Sequence, residues 1–114
     1  MLYCGAEDWR VEVLNEGVRT ELAALPLDVR AKLTHILELM VAVGPQRMRE
    51  PHVKHLRDKS WEMRMSGRGG VTRAIYMLAH GRRIVLLHAF VKKSAKTPPN
   101  AIRLALDRAK DIDR

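Results

Sequence analysis

The residues best suited to shared chemistry lie in the second half of the chain: two arginines (Arg64 and Arg73), two lysines (Lys92 and Lys93), one carboxylate (Glu62) and one histidine (His88). Fixed cations of this kind suit a phosphodiester. When a ribose 2′-oxygen attacks the neighbouring phosphorus, negative charge builds on the phosphoryl oxygens, and a single preorganised donor aimed there is worth roughly 3 to 4 kcal/mol. Arginine fits the task because its planar fork binds phosphate through two hydrogen bonds and stays charged. Arg64 alternates away from Trp61, Met63 and Met65, which places it off the helix-packed face and on the exposed one, and Arg73 lies on the adjacent strand. Both positions also allow ordinary polar residues on an open sheet face, the lesser reading in this motif context.

The remaining candidates have competing readings. Glu62 shares the face of Arg64, so it is either a general base or an ion-pair partner that orients Arg64 or Arg73. One carboxylate among several cations is a weak base, which favours the orienting role. Lys92 and Lys93 leave the end of a long apolar segment. Lysine donates well when protonated and becomes a base only when burial or nearby cations disfavour its charge, while a basic pair in this place also solubilises a hydrophobic strand. Histidine is suited to proton transfer, but His88 alternates with Ile84, Leu86 and Phe90, as a buried and satisfied histidine would. Tyr76 could offer its hydroxyl to a phosphate or pack its ring on the sheet. Lys54, Arg68 and Lys96 are further candidates for contacts to nucleic-acid phosphates. His52-x-x-His55 has metal-ligand spacing, yet no Cys, Asp or further His stands in the same stretch, so no metal and no cofactor are expected. The glycines at 67, 69 and 70 lack the Lys-Ser/Thr ending of a phosphate-binding loop and read as turn residues.

Several elements must hold these side chains in place. Trp9 to Leu14 alternates with period two, the pattern of a half-buried strand. Asn15 suits the N-cap of a helix running to about Leu25, where Pro26 interrupts. Asp28 suits the first turn of a second helix with Val29, Leu33, Ile36 and Met40 on one stripe, ended by Gly44-Pro45. Residues 45 to 58 show no steady period and read as a loop with room for one helical turn. Trp61 to Met65 and Val71 to Ala79 form a hairpin across Gly67-Arg68-Gly69-Gly70. His80-Gly81 makes a second tight turn into Arg83 to Val91, an apolar run expected to be a central strand covered on both faces. Thr97 can cap a last helix with Pro98 at its first position and Ile102, Ala105, Ala109 and Ile112 on one face. The order is β-α-α-β-β-β-α, within one domain over residues 1 to 114.

Charge narrows the partner. The formal net charge is +8 with a pI near 10.3, and it is polarised: residues 1 to 50 hold six Lys/Arg against eight Asp/Glu, residues 51 to 114 fifteen against five. A basic excess of that kind attracts a polyanion, although a solvated basic surface would have the same composition. Five aromatic residues leave few platforms for base stacking, so affinity should come mainly from phosphates. No apolar run reaches the roughly 18 to 20 residues of a membrane span, and Met1 to Glu7 show no secretory signal, which together suggest a soluble, cytoplasmic protein. Cys4 is the single cysteine, which rules out an internal disulfide and a cysteine-clustered zinc site and suits a reducing compartment.

Taken in order, Trp61-Glu62-x-Arg64, Arg73-x-x-Tyr76, Leu86-Leu87-His88-x-Phe90 leading to Lys92-Lys93, and Thr97-Pro98 resemble the phage-derived HigB-like branch of the RelE/ParE superfamily, toxins of type II toxin–antitoxin systems. Lys54-x-Leu56 and the Leu25-Pro26 turn also fit, and the resemblance covers roughly residues 9 to 110. It implies an α+β, RelE-like fold in which a helical hairpin and a C-terminal helix pack on a small, mainly antiparallel sheet. It also implies that Arg64 and Arg73 contact the scissile phosphate and that Lys92 or Lys93 is a phosphate clamp or general acid. The activity implied is that of an mRNA interferase: a metal-independent endoribonuclease that cleaves mRNA on the ribosome, inhibits translation and leaves a 5′-hydroxyl and a 3′- or 2′,3′-cyclic phosphate. The partners implied are mRNA, the ribosome and a cognate antitoxin with a helix-turn-helix DNA-binding fold. Two other readings stand beside it. One is a toxin of the same fold that inhibits DNA gyrase by binding, against which the set Arg64, Arg73, Lys92 and Lys93 argues; the other is an RNA-binding module without chemistry, which the lack of a convincing general base keeps open.

Overall fold

The computed structural model describes residues 9–48, 52–67, 70–92 and 97–112, with Lys92 described by its backbone alone; Arg68, Lys93 and Lys96 lie outside the described residues. The elements are β1 (Arg10–Val13), α1 (Glu16–Ala23), α2 (Leu27–Val43), a 3-10 turn (Pro45–Arg47), β2 (Val53–His55), β3 (Ser60–Gly67), β4 (Gly70–Ala79), β5 (Arg83–Lys92) and α3 (Pro99–Ala109). They give an α+β fold with one five-stranded sheet in the order β1-β5-β4-β3-β2. β1 pairs parallel to β5, and every other pairing is antiparallel. The expected order lacked one strand, β2. Three residues are too few to show a period, and Pro51 and His52 in front of them read as a break.

The sheet is covered on both faces, and alternation along the strands decides what each face meets. On one face Met63, Met65, Tyr76, Ile84 and Leu86 pack against Val18 of α1 and Val29, Leu33, Ile36 and Met40 of α2. On the other, Ile75, Met77, Val85 and Leu87 pack against Ala101, Ala105 and Ala109 of α3 and the following Ile112. This double coverage explains the continuous apolar run of β5. The Asn15 side chain accepts the Val18 N–H at 3.0 Å and caps α1 as its sequence position suggests. α2 crosses close to the end of β3: a Cβ at Gly67 would lie 2.5 Å from Val29 Cγ2, so a residue without one is required there. No helix among the described residues is long and apolar enough to cross a membrane.

Two local features depart from the expected pattern. The β4–β5 register shifts between Ile75 and Tyr76, so that Tyr76 pairs with Leu86 but Ile75 with His88, leaving Leu87 as an extra residue. A bulge of this kind breaks the alternation, and it moves His88 and Phe90 out of the Ile84/Leu86 row into the row of Ile75 and Arg73. Thr97 is not the cap of α3. Pro98 occupies that position without a side-chain cap hydrogen bond, and the Thr97 hydroxyl is turned toward the sheet instead.

Candidate phosphate-binding site

The β3–β4 register sets Arg64 directly opposite Arg73. Like charges facing each other across two strands repel, and Glu62, two residues before Arg64, compensates. Glu62 Oε2 accepts from Arg73 at 2.9 Å and lies 3.0 Å from Arg64 Nε. Glu62 Oε1 accepts the Thr97 hydroxyl, and Thr97 Oγ1 in turn accepts from Arg73 at 3.1 Å. The result is a closed network of two guanidiniums, one carboxylate and one hydroxyl, with a net charge of one positive unit.

Burial within the network is uneven. The side chains of Glu62 and Arg73 are 1% and 3% exposed, whereas that of Arg64 is 29% exposed. Arg64 is thus half-buried and Arg73 fully buried, on a face expected to be open. Arg73 is buried because α3 and its lead-in residue Thr97 cover that face. A buried ion pair costs so much desolvation that it rarely stabilises a fold over an apolar pair of equal size. Its value lies in fixing two guanidiniums in one orientation.

A cleft of about 300 Å³ opens over the network, lined by Lys54 and Arg57 on one side and by Arg73, Thr97 and Ile102 on the other, with no carboxylate among the described residues that line it. Lys54 reaches it because its backbone pairs with Glu62, which puts its side chain on the arginine face. Arg57, just beyond β2, was not singled out from the sequence. Only the pairing of β2 with β3 brings it near Arg73, and the sequence carries no visible sign of that pairing.

Two proposed site residues stand elsewhere. Tyr76 lies on the opposite face from Arg73, 1% exposed among the α1/α2 core, and burial pushes its hydroxyl pKa up. It is a core residue and offers no hydroxyl to a phosphate. The Glu21 carboxylate of α1 accepts from His88 Nδ1 at 2.9 Å, and the His88 ring stacks on Phe90 with centroids 4.9 Å apart. It belongs to a second network. There Arg108 of α3 grips Glu21 through two hydrogen bonds of 3.0 and 2.9 Å and also donates to the Leu87 carbonyl at 2.8 Å, while Glu21 accepts the Ala89 N–H at 3.1 Å. Burial would raise the Glu21 pKa, but the hydrogen bonds from Arg108, His88 and Ala89 outweigh it and hold the carboxyl below its ordinary value. The paired histidines of His52-x-x-His55 also stay apart from any ligand cluster: His55 Nε2 lies 2.8 Å from the Asp58 carbonyl, and no group of three or more potential ligands occurs among the described residues.

The arrangement can be compared with known proteins. Residues 20–110 match the model of the phage-derived Gp49-like protein family (DUF891). The chain belongs to that family. Among solved structures, this Gp49-like chain is similar to a double arginine-to-alanine mutant of the E. coli toxin RelE in the free state, with a TM-score of 0.61 and 18% identity over 88% of this chain and 96% of that one. It is also similar to a chain of the intact E. coli RelBE toxin–antitoxin complex, with a TM-score of 0.54 and 14% identity over 75% of this chain and 99% of that one. The Gp49-like chain thus has the RelE fold, as its motif order implied. No curated protein sequence matches it.

Proposed function

We propose that this chain is the toxin of a toxin–antitoxin pair and acts as a metal-independent endoribonuclease on mRNA in the translating ribosome. The observation that carries the reading is the cleft lined by the cations Lys54, Arg57 and Arg73, with no carboxylate among its described lining residues, set over a network that fixes the two arginines. Such a site holds phosphates and presents rigid positive charge where the attack of a 2′-oxygen would build negative charge. Arg64, the more exposed guanidinium, touches the scissile phosphate; Arg73 supplies charge from the cleft floor; Lys54 and Arg57 hold flanking phosphates. Glu62 accepts hydrogen bonds from Arg73 and Thr97, pairs with the Arg64 charge, and is the residue that orients the arginines, not a proton acceptor. Lys92 or Lys93, where the resemblance to HigB-like toxins puts a basic residue, supplies the clamp or the proton for the leaving 5′-oxygen. The RelBE complex supports a protein antitoxin as partner.

The test is to add the purified chain to a translation extract and map the ends of the message. The proposal expects cuts within the translated region whose downstream fragments carry a 5′-hydroxyl, ligatable only after kinase treatment. Fragments with a 5′-phosphate would overturn the mechanism. An uncut message that still binds the chain would make it an RNA-binding module.

A further inference from the structure

We infer that the pocket on the other side of β2 is a nucleobase subsite that works together with the cationic cleft, an assignment that rests on reading that cleft as the seat of RNA phosphates. The pocket has a volume of about 470 Å³, with Met48, Trp61, Tyr76 and Leu78 among its walls and Gln46 at its side. Lys54 and His55 line both this pocket and the cleft. Their pairing explains how. Lys54 pairs with Glu62 and His55 with Trp61, so the two side chains leave β2 on opposite faces, one toward the arginines and one toward the tryptophan.

β2 is the edge strand of the sheet, and a strand is only about 5 Å wide. A single-stranded backbone that crosses Lys54 can therefore turn one base round the edge into the pocket while its phosphate stays in the cleft. The receiving surface is already ordered. The His55 ring stands edge-on to Trp61 with centroids 4.8 Å apart, and its Nε2 is held by the Asp58 carbonyl at 2.8 Å. An aromatic corner that loses little freedom on binding suits a flat aromatic guest. Among the described residues, neither cavity is lined by a carboxylate. An apolar aromatic wall with a lysine at its mouth thus complements an uncharged ring attached to an anionic backbone, which is the chemistry of a nucleotide within a strand.

The chain holds two tryptophans, Trp9 and Trp61, so in a Trp9→Phe background the emission of Trp61 reports on the pocket alone. The probes are a 2′-O-methyl RNA oligonucleotide, which cannot be cut, and an abasic ribose-phosphate oligomer of the same length and charge. The RNA is expected to quench Trp61. The abasic oligomer is expected to bind with the same salt dependence, without the quench and with roughly five- to 150-fold lower affinity, the worth of one base stacked on an aromatic ring. Met48→Glu, in a half-buried wall position, should weaken binding of the RNA and not that of the abasic oligomer. Equal affinity and equal quench for the two polymers would overturn the subsite, as would RNA binding that leaves Trp61 unchanged. Loss of salt-dependent binding for both polymers would overturn the cleft reading and the subsite with it. Emission that changes with protein concentration in the absence of RNA would instead make the pocket a contact between copies of this chain.

Discussion

Glu62 and Glu21 are each gripped by an arginine and joined by a second polar side chain, yet the two networks sit in different surroundings. Around Glu62 there are two guanidiniums and one carboxylate, closed by Thr97, under a cleft with further cations at its rim. Around Glu21 the same grip is spent on the backbone. β1 ends at Val13, leaving the outer edge of β5 without a strand partner beyond Leu86. α1 and α3 close that edge, with Glu21 accepting the Ala89 N–H and Arg108 donating to the Leu87 carbonyl. Buried strand edges must have their hydrogen bonds met by something. One network therefore completes the sheet and the other leaves positive charge over for a ligand.

That contrast can be broken by substitution. The largest effect is expected for Arg73→Ala, which should cost about 3 kcal/mol of stability, the low end for breaking a buried pair because Arg64 and Thr97 still bond Glu62. Urea unfolding measures it, and a wild-type midpoint would mean that Arg73 is not held as described. Arg64→Ala should keep the fold and lower the single-turnover cleavage rate at saturating RNA on the order of a hundredfold, as loss of a transition-state cation does. Arg108→Ala should do the reverse, lowering the unfolding midpoint while the folded protein cleaves at the wild-type rate. If Arg108→Ala impaired cleavage as severely as Arg64→Ala, the two networks would not be separable.

A smaller effect concerns acid. The folded-state pKa of Glu21 lies below its ordinary value of 4.5, so its contribution to stability is present above that value and is lost as pH falls through the folded pKa. Thermal unfolding between pH 3 and 6 should show wild type losing stability at the acid end, with Glu21→Gln losing less. The smallest change is expected for Lys54→Ala, a rim contact. RNA affinity should fall mildly, and the slope of its log-log salt plot should shrink by about 0.7, the value of one phosphate contact on a single strand. An unchanged slope would remove Lys54 from the interface.

Much of this architecture was legible because long elements carry strong periodicity. The α2 stripe Val29, Leu33, Ile36 and Met40 is buried as its spacing implies, and the meander β3-β4-β5 follows from alternation and two glycine turns. The misses have local causes. β2 is too short to show a period, so Arg57 went unseen beside Arg73. Leu87 bulges, so counting in twos put His88 in the wrong row. Thr97 has the residue type of a cap, but its hydroxyl oxygen accepts from Arg73 and its proton is donated to the Glu62 carboxylate. Arg73 read as exposed because alternation assigns a residue to a face without saying what covers that face.

The parallel pairing of β1 with β5 has a consequence for how the chain assembles. Arg10 pairs with Arg83 across most of the molecule, whereas β3, β4 and β5 pair with sequence neighbours. Closing a long loop costs entropy that local pairing does not. β1, the first described strand in chain order, is thus expected to join last, onto a meander that already holds Arg64 opposite Arg73. Kinetic analysis can check this order: substitutions in the β4–β5 pairing should slow folding, and Val11→Ala in β1 should chiefly speed unfolding.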